Sequence, residues 1–530
     1  MMTTKKIAIY DTTLRDGAQA EGVSFSVAAK VQVAKRLDDF GITYIEGGFA
    51  ASNPKDMEFF RLIKEVPLKH SKIAAFGSTR RANTVPENDK GLAALLEADT
   101  QVCTIFGKSW LLHVTEVLQT TPEENLAMIT DSVRFLKENG KEVIYDAEHF
   151  YDGYKDNPEY AMSALKAAAD AGADCLVLCE TNGGALPEEV AEITATVVNE
   201  FDIPIGVHTH NDGELGVANA LAGVNAGALH VQGTINGIGE RVGNCNLASV
   251  IPNLMLKMGD ICLPQAENLK QLRALCQFVY EQANMRSNTR QAFVGDSAFA
   301  HKAGMHVDGV RKVSQSFEHI NPESVGNKRR ILISELSGAS NIFLKAIEMG
   351  LDVDRKSFEV REVLAQLEQM EKEGYKYESA DASFQMLIKK VLKKHQSFFE
   401  LEGFNVSVDR HDDCCRTIAT VKVRVGDETE LTVGEGDGPV DALNMALRSA
   451  LSKFYPSIAD VVLKDYSVRI LDPEEATAAK TRVLIESSDG VQSWGTVGVS
   501  ENIIEASWEA LIDSVEYKLF LEEEKTKPVE

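Results

Sequence analysis

Two histidines, His208 and His210, close the apolar run "IPIGVHTHND". Side chains two apart on a strand share a face, so both imidazoles can point at one cation. Alone, a His-x-His pair fits two hydrogen-bonded structural histidines as well as it fits a metal site. Its company tips the balance, because other apolar runs also end in polar groups. Asp11, Arg15 and Asp16 follow in "DTTLRDG", Asp146 and Glu148 close "EVIYDAE", Glu180, Thr181 and Asn182 close "LCETN", and Asn236, Glu240, Arg241 and Asn244 lie in "NGIGERVGN". If these groups served packing alone, each would need a buried partner. Imidazoles with carboxylate and amide oxygens, and no thiolate, suit a divalent Mg, Mn or Zn ion. Four protein ligands on an octahedral ion leave two adjacent positions, which a 2-oxo acid fills through its carbonyl and carboxylate oxygens.

The elements that must carry these groups alternate along the first half of the chain. Eight short runs rich in Val, Ile and Ala occupy residues 6–12, 43–49, 72–78, 101–107, 142–148, 174–180, 203–209 and 230–236, separated by amphipathic helical patterns such as "SVAAKVQVAKRLDDFG". Eight strand and helix units in about 250 residues predict a closed (β/α)8 TIM barrel, whose active site lies where the strands end. Three patterns are set aside. "GIGERVG" lacks the third glycine of a dinucleotide fingerprint and follows the last strand instead of the first. His149, next to Glu148, is expected on a strand, pointing away from it, and His70 and His113 are expected to be solvent-facing or packed.

Beyond the barrel, strand runs vanish over residues 265–400, where helices are interrupted by a long polar loop from "NTRQAFVGD" to "ESVGNKRR". From about residue 397 strands return, and "TVGEGDGPVDALNMAL" from Thr432 aligns without a gap on "TVGVSENIIEASWEAL" from Thr496. The repeat predicts two similar β-rich halves packed face to face in a small α+β module. The expected domains are therefore an α/β barrel at 1–265, a helical extension at 266–395 and a regulatory or dimerisation module at 396–530. A formal charge of -25 repels a phosphate backbone, so nucleic acid is not an expected partner. Eight scattered cysteines without a CxxC pair suit a reducing, cytoplasmic setting, and no run approaches the ~18 apolar residues of a membrane span.

The motifs "YDTTLRDGAQAEGVSFS", "VHTHNDGELGVANA", "GTINGIGERVGN", "AFAHKAGMHVDG" and "GEGDGPVDAL", long and in order, resemble the acyl-CoA-condensing aldolase-barrel family that contains the 2-isopropylmalate, homocitrate and citramalate synthases. The resemblance implies a divalent metal held by Asp16, His208, His210 and Asn244, with acetyl-CoA as co-substrate. It further implies that Arg15 polarises the carbonyl of the 2-oxo acid and Thr181 binds its carboxylate, with Gln19 and Glu46 on the substrate side. Glu148, Glu240 and His306 would position and enolise acetyl-CoA, with His306 supplied by the long loop of a partner subunit and either it or an activated water as the base. Within the family, "YDAEHFYDGYKDNPEYAM", "LCETNGG" and "AFGSTRRAN" resemble the branch that takes pyruvate, which implies a homodimer with isoleucine as feedback ligand. The alternatives are 2-oxoisovalerate as acceptor, a metal-dependent acyl-CoA lyase on the same barrel, and a barrel retained only for binding. One position departs from the family pattern: Phe317 stands where a tyrosine is common, so a hydroxyl near His306 is missing.

Overall fold

The computed structural model describes residues 4–52, 54–302, 304–332, 358–391, 397–411, 414–472 and 479–526. The parts of the predicted helical extension at 333–357 and 392–396 lie outside the described residues.

The first half is a closed, all-parallel barrel of eight strands in sequence order: β1 (Ala8–Asp11), β2 (Tyr44–Phe49), β3 (Lys72–Ser78), β4 (Val102–Lys108), β5 (Glu142–Glu148), β6 (Cys175–Glu180), β7 (Ile205–Thr209) and β8 (His230–Gly233). β8 closes on β1, with Ala8 opposite His230 and Asp11 opposite Gly233. Each strand falls within or beside the run predicted for it, because alternate burial against helices outside and side chains inside leaves a clear apolar signature.

Two apolar layers hold the barrel. Between strands and helices lies one continuous core that includes Ile9, Leu37, Ile45, Leu95, Ile105, Val133, Leu178 and Val207. Inside the barrel, Tyr10, Ala74, Val102, Ile144, Cys175, Val177 and Cys179 form a separate plug. Tyr10, Tyr44 and His230 pack ring against ring there, with centroids 5.3–5.8 Å apart. Because the floor is filled, polar groups two and four residues further along the same inward faces are raised to the mouth.

The boundary expected at residue 265 falls inside this unit. Helix Leu272–Gln282 turns Leu272, Leu275, Cys276 and Val279 into the barrel core, and the compact unit comprises residues 1–299 with 318–329. The second unit comprises residues 300–317 and 330–530. It contains a two-residue parallel pair, β9 (Ala300–His301) and β10 (Arg330–Ile331), where no strand was expected. Helix Asp381–Val391 places Ala382 and Met386 against Trp494, Tyr517 and Phe520, so it packs with the C-terminal module and the division expected at 395 is not a packing boundary.

The repeated segments form two three-stranded antiparallel sheets, β11 (Glu400–His411), β12 (Cys414–Val425) and β13 (Glu428–Gly436), then β14 (Val462–Ile470), β15 (Thr481–Ser488) and β16 (Ser493–Ser500). Each leads into a helix, Pro439–Ser452 or Ile503–Thr526. The equivalence extends to single contacts. Thr432 Oγ1 donates to the Ala446 carbonyl at 2.7 Å, and its counterpart Thr496 to the Ala510 carbonyl at 2.8 Å. A Cβ on Gly434 would lie 2.4 Å from the Ala442 carbonyl oxygen, and one on Gly498 would lie 2.0 Å from that of Ala506, so both glycines let helix and strand touch. One core joins the halves, with Ala446 and Leu447 from the first and Val483, Ile485 and Leu511 from the second.

Candidate active site

The mouth is assembled from local turns. At the end of β1, Asp11 accepts hydrogen bonds from the backbone N–H and hydroxyl of Thr13 at 3.0 and 2.9 Å, which turns the chain so that Arg15 and Asp16 double back over the strand ends. Burial pushes the Asp11 carboxyl up to about 7 despite these donors. Asn244 arrives through the loop after β8, where His210 and Asn244 form an isolated antiparallel bridge. The glycines of "GIGERVG" serve that loop. A Cβ on Gly243, at φ +109°, would lie 2.0 Å from the Gly237 carbonyl oxygen, and one on Gly239 would lie 1.8 Å from Asn244 Oδ1.

Asp16, His208 and His210 present ligand atoms that all lie within 4.8 Å of one another. The two Nε2 atoms are 3.2 Å apart and Asp16 Oδ2 is 3.5 Å from His208 Nε2. Ligands on adjacent octahedral positions at metal–nitrogen lengths of about 2.1 Å sit about 3 Å apart, so the spacing fits one shared cation. Asn244 Nδ2 donates to Asp16 Oδ2 at 2.9 Å while its buried Oδ1 has no partner. Rotating the amide by half a turn would bring that oxygen to the cation, which is the unmet valence a fourth ligand would use. Burial opposes charge on Asp16, but the neighbouring Arg15 guanidinium, with the Asn244 amide donating to the carboxylate, holds the carboxyl at about 2. Burial also pushes His210 down to about 3 and lowers His208, leaving neutral imidazoles, the form that binds metal.

Arg15 lies alongside. Its Nε donates to Glu46 Oε2 at 2.5 Å, its Nη1 is 3.4 Å from Asp16 Oδ2, and its guanidinium carbon lies over Phe76, 3.8 Å from the ring centroid. Glu46 is fully buried on β2 and also accepts from Tyr10 Oη at 2.6 Å. Both its carboxylate oxygens therefore engage the protein, one through Tyr10 and one through Arg15. Glu148, two residues beyond inward-facing Asp146 on β5, pairs with Lys108 from the end of β4. Thr181 Oγ1 accepts from the His149 backbone N–H at 3.0 Å, and its carbonyl accepts from Arg241, whose guanidinium also grips Asp212. Gln19 is exposed just after Asp16, and Glu240 is exposed on the β8 loop. His306 lies in the second unit on helix Gly304–Lys312, exposed, its ring stacked on Phe317 at 4.4 Å.

His149 departs from its expected place. It is the left-handed residue, φ 57°, that ends β5 and starts helix Phe150–Asp156, and its ring packs on His113 at 4.2 Å. Lys108, Phe76 and Gln232, which contact Glu148, Arg15 and His208, were passed over by the sequence reading; each lies on the inward face of its strand, and that alternation is the signal that could have found them.

Glu180, buried at the end of β6, accepts from the backbone N–H groups of Gly184 and Ala185 at 2.9 and 3.2 Å, while its other oxygen has no partner. Burial pushes its carboxyl up to about 7. A raised acid favours the folded state fully at pH values below its unfolded pKa, and that contribution is lost as pH rises through the folded pKa. Glu180→Gln keeps the acceptor and removes the ionisation. The variant should therefore be more stable than the parent at pH 8, on the order of 2 kcal/mol, with a gap that shrinks towards pH 5. Melting curves across that range check this; a parallel offset at every pH would contradict it.

An eight-stranded barrel with a carboxylate, two imidazoles and an amide converging beside a buried guanidinium defines a metal-dependent HMGL-like barrel enzyme. Residues 6–279 match the HMGL-like family, residues 293–375 the homocitrate synthase post-HMGL domain-like family, and residues 378–519 the LeuA allosteric (dimerisation) domain. The chain is 52% identical over 520 residues to the (R)-citramalate synthase of Geobacter sulfurreducens, covering 98% of each chain. It is 53% identical over 524 residues to that of Aquifex aeolicus, covering 98% of this chain and 99% of that one. The 2-isopropylmalate synthase of Methanocaldococcus jannaschii is 31% identical over 530 residues, covering 98% of this chain and 96% of that one. The chain belongs to the (R)-citramalate synthases of the HMGL-like family.

Proposed function

We infer that the chain joins the acetyl group of acetyl-CoA to the keto carbon of pyruvate and hydrolyses the resulting thioester, releasing (R)-citramalate and CoA on the way to isoleucine. The observation that carries this reading is the meeting of Asp16, His208 and His210 beside Arg15, in a chain that matches (R)-citramalate synthases along nearly its whole length. Asp16, His208, His210 and Asn244 would hold a divalent ion, which when bound supplies Lewis acidity to the carbonyl and carboxylate oxygens of a chelated 2-oxo acid.

The remaining chemistry belongs to the chain's own side chains. We assign Glu148, held by Lys108, together with Glu240 to positioning the thioester, and removal of a proton from the acetyl methyl to the His306 position as supplied by the long loop of a partner subunit. The methyl carbon then bonds to the keto carbon, and the carbonyl electron pair moves onto oxygen, where the Arg15 guanidinium meets the growing negative charge. Thr181 holds the pyruvate carboxylate and Gln19 flanks it. The proton taken from the methyl returns from the base to the alkoxide; water then adds to the thioester, its hydroxyl staying on the acyl carbon and its proton leaving with sulfur as the CoA thiol. Phe317 supplies no hydroxyl, so nothing in this assignment depends on one; its ring supports the imidazole face of His306 instead.

The pyruvate assignment is tested by free-thiol release from acetyl-CoA with a panel of 2-oxo acids. Pyruvate should exceed 2-oxoisovalerate in kcat/KM by at least about 10-fold, the minimum expected when branching methyls meet a fitted pocket. Preference for 2-oxoisovalerate would make the chain a 2-isopropylmalate synthase in function.

The LeuA-type domain supports a homodimer and end-product control, with isoleucine as the ligand. Isoleucine should lower citramalate formation and raise the melting temperature of the full chain, since a ligand that binds only the folded form must stabilise it. No change in either would remove isoleucine from the scheme. Among the described residues, six cysteines are free and buried, which supports work in a reducing cytoplasm. Among the described residues, no helix is long and apolar enough to cross a membrane.

A further inference from the structure

His208 has two ring nitrogens with different surroundings. Nε2 is turned towards Asp16 and His210, whereas Nδ1 lies 2.8 Å from the side-chain oxygen of Gln232. Gln232 is wholly buried on β8, opposite His208 in the parallel register of β7 and β8. Its amide nitrogen donates to Asp146 Oδ1 at 2.9 Å, and Asp146 is itself buried on β5 across the interior.

In the arrangement the structure shows, both ends of the Gln232 amide are committed, the nitrogen to Asp146 and the oxygen to His208. An amide has one accepting end and one donating end. With its donating end committed to Asp146, Gln232 offers His208 only a carbonyl oxygen, and a carbonyl oxygen cannot donate. The proton of the neutral imidazole must then lie on Nδ1, so Nε2 carries the lone pair. A reversed amide would turn its N–H groups to Nδ1 and put the imidazole proton on Nε2, aimed at the place a cation would occupy. His210 lacks such a restraint, since its buried Nδ1 has no hydrogen-bond partner. Among the histidine ligands, the ordered one is His208.

We propose that Asp146 and Gln232 are positioning residues that lock His208 in the Nδ1–H tautomer and aim its bare Nε2 at the metal position. The inference rests on the reading of His208 as a metal ligand. It adds a function for two buried polar side chains to which the proposed reaction assigns no other part. Asp146 fixes the amide, the amide fixes the imidazole, and the imidazole is ready for a cation before one arrives. Groups that orient a ligating histidine are commonly worth about 10- to 100-fold in metal affinity.

The test uses the full chain stripped with a chelator, with Mn(II) as probe. Titration calorimetry compares the parent, His208→Ala, Gln232→Met, Asp146→Asn and Gln232→Glu combined with Asp146→Asn, and 15N spectra of histidine-labelled, metal-free protein report the tautomer of His208. The parent should show Nδ1–H. Gln232→Met, of similar length without an acceptor, should weaken Mn(II) binding about 10- to 100-fold and give a mixed tautomer. Gln232→Glu combined with Asp146→Asn, which keeps an accepting oxygen at Nδ1 and gives the new carboxylate an amide donor on its other side, should restore binding to within about 3-fold of the parent and keep Nδ1–H. Asp146→Asn, which can face the amide either way, should fall between them. Parent-like Mn(II) binding in Gln232→Met, or an Nε2–H tautomer in the parent, overturns the proposal even if some variants fail to fold, because the second readout needs no variant. Parent-like binding in His208→Ala is a separate failure, that of the metal assignment itself.

Discussion

His208→Ala and Asp16→Ala should each lower CoA release by at least about 10³-fold while leaving the barrel folded. The size follows from what is removed: a site that stabilises charge on the attacked oxygen typically loses 10²- to 10³-fold for one missing donor, and loss of a ligand here removes the cation together with its orientation of the substrate. The fold should survive because the structural loss is local. His208→Ala opens a cavity and leaves the Gln232 carbonyl oxygen unpaired, together about 2–4 kcal/mol in a chain whose barrel core is extensive and continuous. Asp16→Ala removes a carboxylate that Arg15 and Asn244 contact, but Arg15 keeps its tighter bond to Glu46. Two measurements separate chemistry from folding. Thiol release reports turnover, and the melting temperature with and without Mn(II) and pyruvate reports binding, since ligands raise stability only where they bind. The parent should gain stability on loading and both variants should not. Near-normal turnover in both would remove Asp16 and His208 from the metal set, and a parent that gains nothing from Mn(II) and pyruvate would favour a barrel retained for binding alone.

The barrel was legible because its strands alternate with amphipathic helices at a regular period, and inward parity carries polar groups to the strand ends. The C-terminal repeat was legible for a related reason: Thr432 and Thr496 make the same hydrogen bond at the same offset, so the alignment reflects a repeated packing unit. What escaped the sequence has physical causes too. Helix Leu272–Gln282 carries an amphipathic pattern that does not say which core it faces, so the barrel was ended too early. The left-handed backbone of His149 has no signature in a residue that is not glycine. Glu46 was picked out by motif, but sequence order cannot show that Tyr10 and Arg15 occupy both its oxygens. Gln232 looked like one polar residue in an apolar run, and its meaning emerges only when β7 and β8 are laid in register.

Arg15→Lys should lower kcat and kcat/KM together by about 10²- to 10³-fold, with KM for pyruvate changed by less than about 5-fold. The guanidinium is held on several sides, with Nε on Glu46, Nη1 beside Asp16 and its carbon over the Phe76 ring, and this fixed fork is what we assign to the growing oxyanion. A lysine ammonium is a point charge without plane or fork, so it can satisfy Glu46 or reach a growing oxyanion, but not both in one geometry. Because the charge on the attacked oxygen exists only beyond the ground state, the loss should appear in kcat and not in KM. Glu46→Gln provides the control. It keeps an acceptor for Arg15 while removing the charge opposite it, so the fall should be smaller, about 10-fold, and the conservative change should partly preserve what Glu46→Leu destroys. Glu46→Leu leaves a buried guanidinium with only Asp16 as a nearby anion and should cost about 3–5 kcal/mol in stability as well. If Arg15→Lys instead raises KM and leaves kcat intact, Arg15 binds ground-state pyruvate and the developing charge must be met by another group at the mouth.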